Sequence, residues 1–292
     1  MNGILVVDKP QGFTSFDVVA KLRGICRMKK IGHGGTLDPM ATGVLPVFLG
    51  TATRAMDLQP CQDKCYEATL LLGVQTDTGD ITGEVLRCAA VLPGEAELLA
   101  VLPRFLGEQS QLPPMYSAVK IDGKPLYRYA REGKAVQRKE RPVTIYSLEY
   151  TGKGTAAHEY RLLVKCSKGT YIRTLCEDIG TALGVPATLA ALRRTAAGVY
   201  SLPQALTLQE IEAASQAGSL PALLHPVEEL FAVYPLLALT PPQKERLLNG
   251  APVRDAGAAP GLYRAFADGG FVGLVRPAED GVLRSVRLFC TR

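Results

Sequence analysis

Tryptophan is absent from the 292-residue chain, and histidine occurs only as His33, His158 and His225. So few histidines argue against a His-built metal centre. The seven cysteines, Cys26, Cys61, Cys65, Cys88, Cys166, Cys176 and Cys290, are odd in number and scattered. They read as reduced intracellular thiols, not as a disulfide framework. Cys61 and Cys65 have no second Cys or His pair at zinc spacing, so no metal site is expected. No apolar run approaches the roughly 18 residues of a membrane span. The run at residues 4–7 is short and meets Asp8 and Lys9 at once, which is not a signal peptide. A cytoplasmic protein with no membrane role is the expectation.

Several catalytic signatures are also missing. No Gly-x-x-x-x-Gly-Lys-Ser/Thr occurs, so nucleotide hydrolysis is unsupported. Residues 152–157 fit a dinucleotide fingerprint formally, but they join two strand-like runs and no helix follows. Ser117-x-x-Lys120 lacks the companion motifs of penicillin-binding enzymes, and His158-Glu159 lacks a zinc protease's second histidine. What remains is chemistry without a cofactor, or plain binding.

The composition is 47% hydrophobic and 21% charged, enough for a sizeable core, and the length suggests about two domains. The excess charge is only +5. Residues 124–142 hold seven basic side chains against Glu132 and Glu140, a net +5 that equals the whole chain's excess. Tyr127 and Tyr129 are interleaved. A solvated helix is the ordinary cause of such a run, but this concentration suggests a phosphate-binding arm.

Hydrophobic spacing predicts a buried strand at 4–7, a helix over 16–28 capped by Thr14 or Ser15, and a Gly-rich loop over 31–43. A strand is expected at 66–72 and a helix at 95–106. A pair of strands at 142–150 and 158–166 should follow. Thr170 should cap a helix that ends at Gly184. A short helix is expected at 207–214. The texture changes between 231 and 238. A short helix at 240–250 and strand-like runs at 262–267, 271–275 and 282–289 then read as a small β-rich module. Domains of 1–234 and 235–292 are expected, the first carrying a basic insertion at about 120–142.

The densest unusual stretch is residues 32–43, Gly-His-Gly-Gly-Thr-Leu-Asp-Pro-Met-Ala-Thr-Gly. Glycine allows close backbone approach, and Pro39 restricts Asp38 to an extended conformation. Spacing alone leaves two readings: an ordinary turn, or one carboxylate presented on a fixed loop.

This stretch, with Lys9-Pro-x-Gly12-x-Thr14-Ser15 before it, resembles the bacterial tRNA pseudouridine-55 synthases of the TruB family. The resemblance continues through Lys64-x-Tyr66, Leu72-Gly73-x-x-Thr76-Asp77-Thr78-x-Asp80 and Pro113-Pro114-x-Tyr116-Ser117-Ala118-x-Lys120. Lys168-Gly169-Thr170-Tyr171-Ile172-Arg173 and Leu192-Arg193-Arg194 complete it. Gly34 stands where many relatives carry Thr.

The resemblance implies a pseudouridine synthase fold: an α+β domain on a mostly antiparallel mixed sheet, with flanking helices and a PUA-like C-terminal module. It implies isomerisation of uridine 55 in the T-loop of tRNA, without cofactor or metal. Asp38 would be the catalytic aspartate, Arg173 its partner through both carboxylate oxygens, and Tyr66 the ring stacking on the flipped base. His33 would fill the space that base leaves, and Tyr171 and Leu192 would line its pocket. Lys64, Arg128, Arg131 and Lys134 would contact the RNA. A monomer needing no protein partner is expected. A guide-RNA-dependent catalytic subunit is the first rival, disfavoured because the last strand-like run lies close to Arg292. A non-catalytic RNA-binding protein is the second, and it would have no need of Asp38 and Arg173 together.

Overall fold

The computed structural model describes residues 1–254 and 258–290. The apolar run behind Met1 forms β1 (Gly3–Lys9), buried at every residue but Asp8. A strand apolar on both faces belongs inside a molecule. Beside β1 lies β3 (Thr42–Leu49), buried from Gly43 onward. The remaining strands of this sheet are β2 (Ile31–His33), β4 (Lys64–Leu72), β5 (Gly107–Gln111) and β6 (Arg141–Lys153). After them come β7 (Glu159–Cys166), β8 (Ala187–Ala197) and β9 (Tyr200–Ser201). The order is β1-β3-β8-β4-β7-β6-β5, with β2 beside β3 and β9 beside β8. Every pair is antiparallel except β3–β8. There Gly43 has φ +102°, and a Cβ on it would sit 2.2 Å from the Arg194 carbonyl oxygen. Only glycine permits that approach.

Two helices fix the geometry of the site. Helix α1 (Ser15–Ile25) starts with the capping box anticipated from Thr14 and Asp17. The Asp17 N–H donates to Thr14 Oγ1 at 3.0 Å, and the Thr14 N–H donates to Asp17 Oδ2 at 2.8 Å. Its buried Val18, Val19 and Leu22 pack on Leu5, Val7, Leu45 and Val47. Helix α4 (Ile172–Ala182) lies on the other half of the sheet, with Leu175 and Ile179 against Leu70, Leu162, Val164 and Leu189. Its cap differs from the expected one. Tyr171 is the N-cap, and the Thr170 hydroxyl donates instead to the Ser167 carbonyl at 2.9 Å.

Other boundaries move too. The Gly-rich loop contains β2, because residues 31–33 find an open edge of β3. The helix expected over 95–106 is α2 (Glu95–Val101) with a 3-10 turn (Leu102–Phe105), which accommodates Pro103. Strands β5 and β6 are joined by the basic arm. It leaves the sheet at Gln111 and returns at Arg141, and these two residues are register partners. The arm holds a small hairpin (Lys120–Ile121 with Lys124–Pro125) and α3 (Leu126–Arg131).

Beyond α5 (Leu208–Gln216), the described residues form a second sheet of five strands, where three were expected, with α6 (Pro241–Leu248) between its first two. They are β10 (Leu236–Ala238), β11 (Val253–Arg254), β12 (Tyr263–Ala267), β13 (Gly270–Pro277) and β14 (Val282–Leu288). Asp268 (φ +53°) and Gly269 (φ +74°) turn β12 into β13, as a two-residue hairpin requires. This sheet leans on the first through Phe231, whose ring lies 5.7 Å from that of Phe289. Leu274 and Phe289 share one cluster with Ile4, Val6, Val44 and Phe48. Among the described residues, no helix is long and apolar enough to cross a membrane.

Candidate active site

Asp38 sits on the loop between β2 and β3, and that loop is tied down from several sides. The Leu37 N–H donates to Ser15 Oγ at 2.8 Å, and the Gly12 N–H donates to the Pro39 carbonyl at 2.8 Å. Buried Lys9 donates through Nζ to the carbonyls of Phe13 (2.6 Å), Pro10 (2.9 Å) and Pro39 (3.3 Å). Burial pulls this ammonium down to about 8, opposed by the Asp38 charge. From β8, fully buried Arg194 donates to the carbonyls of Val44 (2.6 Å), Gly35 (3.2 Å) and Thr36 (3.3 Å). A carboxylate held this way loses little freedom on meeting its substrate.

Gly34 is part of the same arrangement. A Cβ there would stand 2.8 Å from the Phe48 ring, so the missing side chain makes room for that ring.

Arg173 is 4% exposed and pairs with Asp38, Nε to Oδ2 at 2.9 Å. The contact is single, not the fork expected. Nη1 is taken by the Thr78 carbonyl and Nη2 by the Tyr116 carbonyl, each at 2.8 Å. Asp80 Oδ2 lies 4.0 Å from Arg173 Nε, and its Oδ1 accepts from the Thr78 hydroxyl and the Thr82 N–H. One buried cation therefore faces two carboxylates. Burial raises the Asp38 carboxyl above its ordinary range, with Arg173 opposing.

Asp38 and Arg173 border a cavity of ≈ 220 Å³ whose walls include Tyr66, Tyr171, Leu192 and Lys64. That is smaller than the roughly 300–1,000 Å³ of drug-sized sites, and suits one flat ring. Tyr66 is both wall and core: it projects from β4 on the same face as Ala68, Leu70 and Leu72. Burial pushes its phenol up to about 12, while its register partner Arg194 pulls the other way. Lys64 donates to the Gln62 carbonyl at 2.9 Å and is lowered to about 8 by burial.

His33 is outside this cavity. It lines an adjoining one of ≈ 320 Å³, and Gly35 and Lys64 form walls of both. Its Nδ1 is buried without a partner, and burial lowers its pKa, favouring the neutral ring. Arg128, Arg131 and Lys134 are exposed on the arm and are not part of the wall of the Asp38 cavity. Two arm lysines, Lys124 and Lys134, share Glu132. Arg131 stands over the Tyr127 ring at 5.6 Å.

Sequence reasoning gave no role to Lys9, Arg194 or Asp80, though all three stood in the motifs. Buried cations aimed at backbone carbonyls leave no periodic signal. Among the described residues, no three His, Cys, Asp or Glu side chains form a group suited to a metal ion.

Known structures share this architecture. Over 99% of its length the chain matches 85% of a chain in the crystal structure of a Cbf5-Nop10-Gar1 complex, with TM-score 0.73 and 27% identity. A chain in an H/ACA RNP bound to a substrate RNA containing 2'-deoxyuridine shares the fold at TM-score 0.72 and 24% identity, with 99% of this chain and 86% of that one covered. The sheet and its flanking helices are those of a pseudouridine synthase.

Sequence narrows this further. The tRNA pseudouridine synthase B of Ectopseudomonas mendocina (strain ymp) is 46% identical over 100% of this chain and 96% of that relative. Its counterpart from Azoarcus sp. (strain BH72) is 45% identical over the same shares. Residues 23–172 match the model for the TruB family pseudouridylate synthase N-terminal domain, and residues 173–232 match the tRNA pseudouridylate synthase B C-terminal domain. The chain belongs to the TruB family, whose members are isomerases that convert tRNA uridine to pseudouridine.

Proposed function

We propose that this chain isomerises uridine 55, in the T-loop of tRNA, with Asp38 as the catalytic aspartate. The observation that carries this is the Asp38–Arg173 pair at 2.9 Å, set in the wall of a one-ring cavity. A uracil stacked inside a folded loop is reached only by flipping it out. Tyr66 stacks on the flipped ring, and Tyr171 and Leu192 bound it. His33, in the adjoining cavity, occupies the place the nucleotide vacates. A neutral, flat imidazole suits that role.

Asp38 attacks as the anion and forms a covalent intermediate. The N1–C1′ bond breaks, the base turns, C5 joins C1′, and the bond to Asp38 breaks to return its carboxylate; C5 gives up its proton and N1 takes one. Atoms and electrons balance within the nucleotide, so no cofactor is called for. Arg173 keeps Asp38 ionised against the burial that would protonate it. The Tyr66 hydroxyl serves in proton transfer.

Lys64, Arg128, Arg131 and Lys134 hold phosphates, and the arm closes on the RNA. Residues 1–234 form the catalytic domain, with the insertion at about 120–142. Residues 235–292 form a second RNA-binding module. The protein works in the cytoplasm as a monomer without a protein partner. A single-turnover assay with purified protein and an unmodified T-arm hairpin tests this. Pseudouridine should form at the T-loop uridine alone. No product from protein by itself would favour dependence on a guide or partner.

A further inference from the structure

The basic arm and helix α4 meet at Gln111. This side chain is 2% exposed and is the last residue of β5, where the arm departs. The Tyr171 N–H donates to Gln111 Oε1 at 2.9 Å, and Gln111 Nε2 donates to the Tyr171 carbonyl at 3.3 Å. The two hydrogen bonds fix the amide's orientation, because a flip would set donor against donor and acceptor against acceptor. The side chain thus pairs with one backbone unit as a neighbouring strand would. Tyr171 is the N-cap of α4 and has no side-chain cap of its own. Its ring walls the cavity, and Arg173 follows two residues later.

A second tie joins the same two segments. Arg173 Nη2 donates to the Tyr116 carbonyl, five residues after Gln111. Between them the chain is stiffened by Pro113 and Pro114. At the arm's other end, Arg138 Nη1 donates to the Pro113 carbonyl at 2.9 Å. The root of the arm is therefore a closed loop, pinned to α4 at Tyr171 and at Arg173.

We propose that Gln111 is a positioning residue that clips the entry of α4 to the root of the arm, so setting Arg173 against Asp38 and Tyr171 against the substrate ring. The clip acts through Tyr171 and Arg173 and touches no RNA. Its consequence falls on the chemical step, not on binding. This rests on the reading of Asp38 and Arg173 as the reacting pair.

Gln111→Met keeps the side chain's length and removes both hydrogen bonds. Single-turnover isomerisation at saturating, unmodified, full-length tRNA should slow at least tenfold, with Kd for tRNA within twofold of wild type. The acid limb of the rate–pH profile should also move to higher pH. The charged and titratable groups around Asp38 are Arg173 on α4, Asp80, Lys9 on β1 and Tyr66 on β4. Of these, Arg173 most strongly opposes protonation, and loosening it weakens that opposition. Ile145→Val, a buried change on β6, serves as a stability control and should leave rate and limb unmoved. A Gln111→Met rate and limb equal to wild type would overturn the proposal. So would a loss fully accounted for by the unfolded fraction. Asp38→Asn in the same assay separates the two ideas: if it turns over, the reading of the reacting pair fails, whatever Gln111→Met does.

Discussion

Replacing Arg173 by Lys keeps the charge and removes the geometry. The three guanidinium nitrogens of Arg173 have three different partners: Asp38, the Thr78 carbonyl and the Tyr116 carbonyl. They diverge in the fixed plane of the group, so one ammonium cannot reach them all. At least two acceptors lose their donor in a partly buried place. Hydrogen bonds to charged groups contribute about 1.5–3 kcal/mol each, so losing two should cost about 3–6 kcal/mol. Partial entry of water favours the lower figure. Typical domains hold about 5–15 kcal/mol, so the variant should fold but unfold at clearly lower urea.

The rate should suffer separately. If the ammonium stays with Asp38, the two carbonyls release the arm root. If it moves to the carbonyls, Asp38 loses its contact counter-charge and faces Asp80 with Lys9 alone opposing. Either outcome should cost about 10²–10³ in single-turnover rate, the scale of removing one preorganised donor. Urea titration and quench-flow at saturating tRNA measure the two effects independently. A stability loss below about 1 kcal/mol together with a near-wild-type rate would refute the reasoning. A stability cycle with Asp38→Asn adds a check: two residues in contact should show a coupling energy of about 0.5–3 kcal/mol.

Asp38→Asn should abolish isomerisation yet unfold no earlier than wild type at pH 7. The folded-state Asp38 pKa is raised, so its ionised form costs stability above the ordinary carboxylate range, and a neutral amide relieves that cost. Marked destabilisation of the variant, by calorimetry, would count against the sign assigned here. Tyr66→Phe should bind tRNA normally but react far more slowly, and an unchanged rate would leave stacking as the ring's only task. Replacing Arg128, Arg131 and Lys134 together by Gln should flatten log affinity against log salt by roughly 0.7–0.9 for each phosphate no longer neutralised. The saturated rate should change much less. An identical slope in the triple variant would show that the arm does not touch phosphates.

Local signals in the sequence survived folding well. The Thr14–Asp17 box started α1, and the 3.6-residue spacing of Ile172, Leu175 and Ile179 gave α4 its buried stripe. The motif residues Asp38, Tyr66, Tyr171, Leu192 and Arg173 meet at one cavity although 154 positions separate Asp38 from Leu192. Strand β8 was hidden. Its sequence, Ala-Thr-Leu-Ala-Ala-Leu-Arg-Arg-Thr-Ala-Ala, is rich in helix formers. It is a strand because β4 and β3 offer it partners on both sides, a condition set by tertiary structure. Strand β3 was equally silent because Pro46 interrupts its apolar run, and proline argues against a strand interior. The partners of Arg173 were illegible for a third reason. Two of them are carbonyls, and every residue has one.

The seam between the two sheets has a consequence for how the molecule comes apart. Phe231, Phe271 and Phe289 stack where the second sheet meets one face of β1 and β3, and β3 is the strand that follows the Asp38 loop. A small sheet of this size has little independent stability. Anchored there, it cannot melt without baring aromatic surface on its neighbour. The two parts should therefore denature in a single calorimetric transition. A chain cut before Leu236 would carry an exposed apolar scar, prone to self-association, on β1 and β3.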